Sequence, residues 1–302
     1  MTVAQAYQEC RTIARREAKN FYYAFRVLPR HKSDAMCAVY AFMRRADDLA
    51  DDESYSIDDR RMQMDAWLKA WRAVQAGGAS TDAVFIAVRD TQERFGISDA
   101  LLDQLVQGTA MDLEPRPTGD DGVQTFADFD ELYRYCYLVA SVVGLVCIRI
   151  FGYSDASADQ LAEETGIAFQ LTNILRDVKE DAERGRVYLP LDLLAEFGIR
   201  AERIQALAQG GRIEPNERAM LSMLGAKADG YYGSAWRLLP LIDVDSRAAL
   251  WVLVSIYHNL LLRIGRMDGD VFSKRVRVPT ITKVWLLVRG MGMALWNRVW
   301  AQ

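Results

Sequence analysis

Two acidic segments hold the side chains best suited to chemistry. They are Asp47-Asp48-Leu49-Ala50-Asp51-Asp52 and Asn173-Ile174-Leu175-Arg176-Asp177-Val178-Lys179-Glu180-Asp181. Asp47 and Asp51 stand four residues apart, as do Asn173, Asp177 and Asp181, and Gln170 extends the second row by a turn. On a helix this spacing lines one face. Asp48 and Asp52 form a second pair about 100° round the first helix. Crowded carboxylates repel one another and resist desolvation unless cations neutralise them. Rows of hard oxygen donors suit Mg²⁺, with Mn²⁺ as the alternative. Mg²⁺ keeps several waters and binds phosphates directly, so two facing rows can hold a diphosphate although both partners are negative. Arg44, Arg45, Arg176 and Arg186 flank the rows and have the fork geometry that grips phosphate oxygens. Each motif alone is more often a solvated helix end, balanced by surface arginines. Their joint occurrence beside apolar helical segments favours a metal–diphosphate site.

If the ligand is an allylic diphosphate, metal coordination makes diphosphate a good leaving group. The carbocation left behind needs a dry cavity with aromatic walls. Phe21, Tyr22, Tyr23, Phe25, Tyr40, Phe42, Tyr133, Tyr135, Tyr137 and Phe169 supply the material, although most aromatics of a helical protein serve only as core. Ala140, Ser141 and Gly144 mark a face of small residues, which permits close helix approach or leaves room for a long tail.

These residues must be positioned by helices. Apolar residues recur at three and four throughout, and strand patterns are almost absent. The seven prolines, at 29, 115, 117, 190, 215, 240 and 279, fall where helices should break. Between them the pattern predicts helices near 3–18, 33–50, 58–76, 80–94, 99–112, 125–150, 156–183, 201–209, 215–238, 245–266 and 281–300. Residues 114–122 form the clearest loop, yet no linker of domain-separating length occurs. The expectation is an all-α protein with one domain over 1–302.

Composition narrows the function. The 302 residues are 51% hydrophobic and 26% charged, which gives a sizeable core and argues against disorder. A net charge of −4 argues against a general nucleic-acid binder. Cys10, Cys37, Cys136 and Cys147 form no CxxC pair and read as buried, reduced thiols of a cytoplasmic protein. His31 and His258 lie far apart, which gives little support to a histidine zinc site or a Ser-His-Asp triad. The N-terminal residues lack the apolar run of a signal peptide. The longest uncharged apolar run, Tyr135 to Ile148, is shorter than the roughly 20 residues that span a bilayer. Val284 to Trp300 is rich in Trp, Leu, Val and Met, interrupted by Arg289 and Arg298. It reads as a terminal helix packed on the core, with peripheral attachment to the inner face of the membrane as the alternative.

The chain resembles the squalene/phytoene synthase family, which joins two prenyl diphosphates head to head. The resemblance runs from about Lys19 to at least Gly269. It is carried by residues 20–25, by Tyr40-Ala41-Phe42-Met43-Arg44-Arg45-Ala46-Asp47-Asp48-Leu49-Ala50-Asp51, by 135–144, by 170–181 and by Gly185-Arg186-Val187-Tyr188-Leu189-Pro190. It looks most like the bacterial presqualene diphosphate and squalene synthases. The resemblance implies a helical isoprenoid-synthase fold around a large central cavity. It implies Mg²⁺ on Asp47, Asp51, Asn173, Asp177 and Asp181. It implies substrate contacts from Lys19, Asn20, Tyr40, Arg44, Gln170, Arg176 and, more weakly, Tyr257, with Arg186 on the flank. Asn20 stands where the family often has serine, and Ser141 where it often has glycine. The first bears on a phosphate contact and the second on the width of the prenyl channel.

The implied reaction starts with ionisation of one farnesyl diphosphate. The double bond of a second attacks the cation, and proton loss closes the cyclopropane of presqualene diphosphate. A cavity tyrosine, with Tyr135 as the candidate, or the departed diphosphate takes the proton. Reduction to squalene with NADPH is a further step that the sequence leaves open, since it shows no GxGxxG fingerprint and the family uses none. Two geranylgeranyl diphosphates, as in a phytoene synthase, a single diphosphate, as in a terpene cyclase, and a catalytically silent helical scaffold are the competing readings. The sequence leaves the oligomeric state open.

Overall fold

The computed structural model describes residues 1–113, 123–267 and 270–300. Among these, fourteen α-helices form: α1 Val3–Glu17, α2 Lys19–Phe25, α3 Arg30–Asp51, α4 Ile57–Gln75, α5 Ala83–Phe95, α6 Asp99–Ala110, α7 Phe129–Cys136, α8 Val142–Phe151, α9 Ala158–Glu183, α10 Leu191–Glu196, α11 Ala201–Ala208, α12 Pro215–Leu238, α13 Val244–Arg266 and α14 Thr280–Trp300. The described residues contain no strand, only two isolated β-bridges. The fold class is therefore all-α. All eleven predicted segments are helical; the short α2 and α10 are additions.

Local chemistry sets the boundaries. Thr2 and Gln5 form a capping box before α1, and Ser56 and Ser98 cap α4 and α6 by accepting from the Asp59 and Leu101 amides. The helix predicted from residue 80 starts at Ala83, because Asp82 accepts from the Val84 and Phe85 amides. The one predicted from 125 starts at Phe129, behind the Asp128 cap. Residues 124–126 are instead extended against the segment after α9. There the Val187 amide donates to the Gln124 carbonyl at 2.9 Å and the Thr125 hydroxyl to the Leu189 carbonyl at 2.8 Å. Pro29 and Pro190 directly precede α3 and α10, and Pro215 opens α12.

The central helix is α9, with α8, α11 and α12 packed around it. A π-helical turn, Tyr137–Ser141, joins α7 to α8 and packs on α9. The contact is close: a Cβ on Gly166 would lie 2.4 Å from the Ser141 Cα, so only glycine fits. On the other side α3 packs against α1, α5 and α6, and α13 carries α14. By length and composition, 129–151 and α13 could each cross a membrane, but both are core helices with half or more of their apolar windows buried. Cys10, Cys37 and Cys136 are buried and Cys147 half-buried, and all four are unpaired. Burial pushes the thiols of Cys10, Cys37 and Cys147 up to about 12, so they are inert at neutral pH.

Candidate active site

A cavity of about 490 Å³ lies between α2, α3, α8, α9 and α13, within the range of small-molecule sites, roughly 300–1,000 Å³. Two helical stripes build it. Met36, Val39, Tyr40, Met43, Arg44 and Asp47 face it from α3, and Ala162, Gly166, Phe169, Gln170, Asn173 and Arg176 from α9. Both stripes follow the three–four spacing of one helix face. Both also run from apolar to polar along their sequence. Hence the cavity has an apolar floor, closed by Ile148, Phe151, Leu238 and Leu250, and a polar mouth where Asp47 and Arg44 share the rim with Gln170, Asn173 and Arg176.

The two acidic rows therefore converge on one mouth. Asp47 and Asn173 line the cavity, and Asp51, Asp177 and Asp181 lie one or two turns further along the same helices. Asp48 and Asp52, round the side of α3, instead face an outer groove between α1, α3 and α4. Among the described residues no three His, Cys, Asp or Glu side chains lie close enough to hold a metal by themselves.

The α9 row is braced by cations. Arg176 donates to both oxygens of Asp177, with Nε 2.8 Å from Oδ1. Arg275, from the segment before α14, reaches Asp177 at 2.7 Å and Glu180 at 3.3 Å. Asp181 has a raised pKa of about 7, because burial disfavours its charge and Asp177 adds to the effect. The Asn173 Nδ2 donates to Gln170 Oε1 at 3.3 Å. Its Oδ1 is buried and has no hydrogen-bond partner. A buried acceptor without a donor is costly, and a cation would satisfy it. The donor set is all oxygen, with one orphaned amide oxygen and one carboxyl held near its neutral form. It fits a hard divalent cation.

Aromatic rings form one wall. Phe169 stacks on Tyr257 at 4.4 Å and Phe21 tilts against the same ring at 5.8 Å, while Phe25 and Tyr40 meet at 6.4 Å. All five line the cavity. Burial pushes the Tyr257 hydroxyl up to about 12, partly offset by Arg176, and burial raises Tyr40 as well. Both rings stay neutral at physiological pH.

Three sequence-based assignments are changed. Tyr135 is not in the cavity wall: its ring packs between Phe126 and Tyr188, at 5.3 Å from each. Ser141 does not narrow the channel: it is fully buried at the α9 crossing and donates to the Glu163 carbonyl at 2.6 Å. Its neighbours Ala140 and Gly144 do line the cavity. Phe42 belongs to a ring cluster with Trp67, Trp71 and Phe85, away from the site. Arg186 pairs through its backbone with Gln124 and bears electrostatically on Asp181. The Lys19 and Asn20 side chains lie outside the described residues. Arg275 was missed: it lies 98 residues from its partner Asp177 and in no helical row with it.

Known proteins share this architecture. A structure of a dehydrosqualene synthase with a ligand superposes with a TM-score of 0.81 at 28% identity, covering 96% of each chain. Squalene synthase HpnC from Alicyclobacillus acidocaldarius gives 0.78 at 25%, covering 88% of this chain and 95% of that one. Phytoene synthase of Mycobacterium tuberculosis is 35% identical over 283 residues, 93% of this chain and 89% of the relative. Presqualene diphosphate synthase of Zymomonas mobilis is 32% identical over 273 residues, 90% and 89% respectively. The squalene/phytoene synthase family model matches residues 14–282. With that match and these relatives, the chain belongs to the squalene/phytoene synthase family.

Proposed function

We propose that the protein is a prenyltransferase that joins two farnesyl diphosphates head to head into presqualene diphosphate. The family match over residues 14–282 carries the head-to-head reading, and the cavity with an apolar floor and a mouth where Asp47 and Arg44 meet Gln170, Asn173 and Arg176 fits it. The two superposed structures that carry squalene-type names support the C15 substrate.

Asp47, Asp51, Asn173, Asp177 and Asp181 are the residues that would hold Mg²⁺. The bound ion would supply the charge that makes diphosphate a leaving group. The chain's own residues do the rest. Arg44 and Arg176 orient the diphosphates at the mouth. The apolar floor holds the prenyl tails away from water, which protects a carbocation from hydrolysis. Phe21, Phe169 and Tyr257 line the cavity with aromatic rings, whose quadrupoles would favour that charge. Burial keeps the Tyr40 and Tyr257 hydroxyls protonated, so they serve as hydrogen-bond donors and are poor bases.

A second reading, condensation of two geranylgeranyl diphosphates to phytoene, is favoured by the identity to phytoene synthases, 35% in the mycobacterial protein. Incubation with each substrate, with and without Mg²⁺ and NADPH, separates the two. Presqualene diphosphate from farnesyl diphosphate in Mg²⁺ is the expected product, with NADPH showing whether it is carried on to squalene. Phytoene from the C20 substrate, with the C15 substrate untouched, establishes the second reading. Consumption of neither in Mg²⁺ leaves the helical scaffold.

A further inference from the structure

The outward face of α14 is apolar. Leu286, Gly290 and Ala294 form its buried stripe. A Cβ on Gly290 would lie 2.4 Å from the Val252 Cγ2, so α14 is pressed directly onto α13. On the opposite side, Ile281, Val284, Trp285, Val288, Met291 and Leu295 recur at three and four, and all are exposed. Ile281 is 79% exposed, Val288 62% and Leu295 60%. A surface helix ordinarily turns charged residues outward, and one apolar on all sides is ordinarily buried. A contiguous apolar face of this kind marks a docking surface.

The charge of the segment identifies what docks. Residues 271–302 contain six of the 37 basic residues and none of the 41 acidic ones, so the other 270 residues carry a net charge of −10. Lys274, Arg277 and Arg289 are exposed, while Arg275 is committed to Asp177 and Glu180. The Arg289 guanidinium lies 5.0 Å from the Trp251 ring and 5.5 Å from the Trp285 ring, beside the apolar row. An exposed apolar row with tryptophan, bordered by cations and free of acidic residues, matches an interfacial lipid-binding helix.

We propose that this face of α14 docks on the surface of a bilayer containing anionic lipids. The apolar row enters the boundary between headgroups and acyl chains, and the basic residues meet the headgroup phosphates. Charge argues against a second copy as the occupant, since a two-fold pairing would set two all-basic segments against each other. The placement also relates the bilayer to the cavity. α13 turns Leu250, Leu253 and Tyr257 to the cavity and Val252 to α14, so one helix separates the docking face from the apolar hollow. The inference rests on surface residues and stands whichever prenyl diphosphate is condensed.

The test is co-sedimentation of the full chain with large unilamellar vesicles, of phosphatidylcholine alone or with a quarter phosphatidylglycerol. Binding to the anionic vesicles that weakens in high salt is expected. Val288→Glu should cut that binding about tenfold or more, because a charge enters the exposed apolar row that would insert into the bilayer. The double variant Trp285→Ser/Val288→Ser should do the same without adding charge, and keeps the test valid if the glutamate variant misfolds. A melting temperature equal to wild type confirms that folding is unaffected. Absence of binding to anionic vesicles, or equal binding by the variants, overturns the proposal. Light scattering that shows a lipid-free dimer converted to monomer by Val288→Glu overturns it in favour of a second copy.

Discussion

On α3 the acidic row closes the helix, whereas on α9 it runs through three half-buried turns. Asp51 is the last residue of α3 and Asp52 its cap, and the final turn has no basic residue. These carboxylates are exposed, and they face the negative end of the helix dipole. Arg44 lies 2.6 Å from Asp48, and Arg60 donates to the Ala50 carbonyl at 2.8 Å and bears electrostatically on Asp52. The α9 row is half-buried, with Asp177 held by Arg176 and Arg275 and Asp181 shifted towards its neutral form. One spacing rule therefore yields two electrostatic states. On α3, Asp51 bears its charge in solvent at modest cost, while Asp47 is half-buried at the cavity. The α9 row has its charge compensated by arginines or suppressed by a proton, and a metal would have to displace both.

Substituting Asp177 tests that contrast most strongly. Asp177→Asn should lower turnover about a hundredfold or more, because it removes a ligand in the proposed metal set. From the sequence alone, relief of repulsion would leave the metal-free protein as stable or more so. The structure reverses this expectation. The neutral amide loses the charge partner of Arg176 and Arg275, which should cost about 1–3 kcal/mol. Melting in chelator checks it: a higher melting temperature for Asp177→Asn would show that the arginine brace contributes nothing.

The sequence made the acidic rows legible but not their surroundings. A four-residue spacing identifies a face, and the proline positions and apolar period locate the long helices. Seven-residue α2 and six-residue α10 fall below that period, and neither has a side-chain N-cap to announce it. Tyr135 shows a second limit. α7 is amphipathic, with Asp130 and Arg134 outward and Tyr135 buried, but periodicity says only that the Tyr135 face is buried, not whether it meets the cavity or Phe126 and Tyr188. Arg275 shows a third, since a contact across 98 residues leaves no local pattern.

Asp181 sharpens the comparison through pH. Its value rises from an ordinary 3.8 to about 7, so between these limits the native state holds a proton that the unfolded chain has released. Stability of the metal-free protein should therefore fall as pH rises from about 4 to about 7, the sign that follows when the folded state binds more protons. Melting temperatures across that range, in chelator, measure the slope, and Asp181→Asn should flatten it. Metal binding requires the deprotonated carboxylate, so added Mg²⁺ should raise the melting temperature more at pH 8 than at pH 5. An unchanged slope in Asp181→Asn would assign the titration to another group.

Asp51 should give the smallest shift, and one of opposite sign to that of Asp177. Asn in place of Asp51 removes a negative charge from the C-terminal end of α3, where the last carbonyls already repel it. Removing one such charge at an exposed helix end stabilises by about 0.3–1 kcal/mol. The metal-free Asp51→Asn protein should therefore melt slightly higher than wild type, and the gain should shrink in high salt, which screens exposed charges. Turnover should still fall, because the proposed role of Asp51 concerns the loaded site and not the fold. A rise for Asp51→Asn beside a fall for Asp177→Asn would establish that α3 holds its carboxylates against its own stability while α9 uses them for it. If both variants melt lower, the α3 row has partners that make it as structural as the α9 row, and the contrast between the two helices fails.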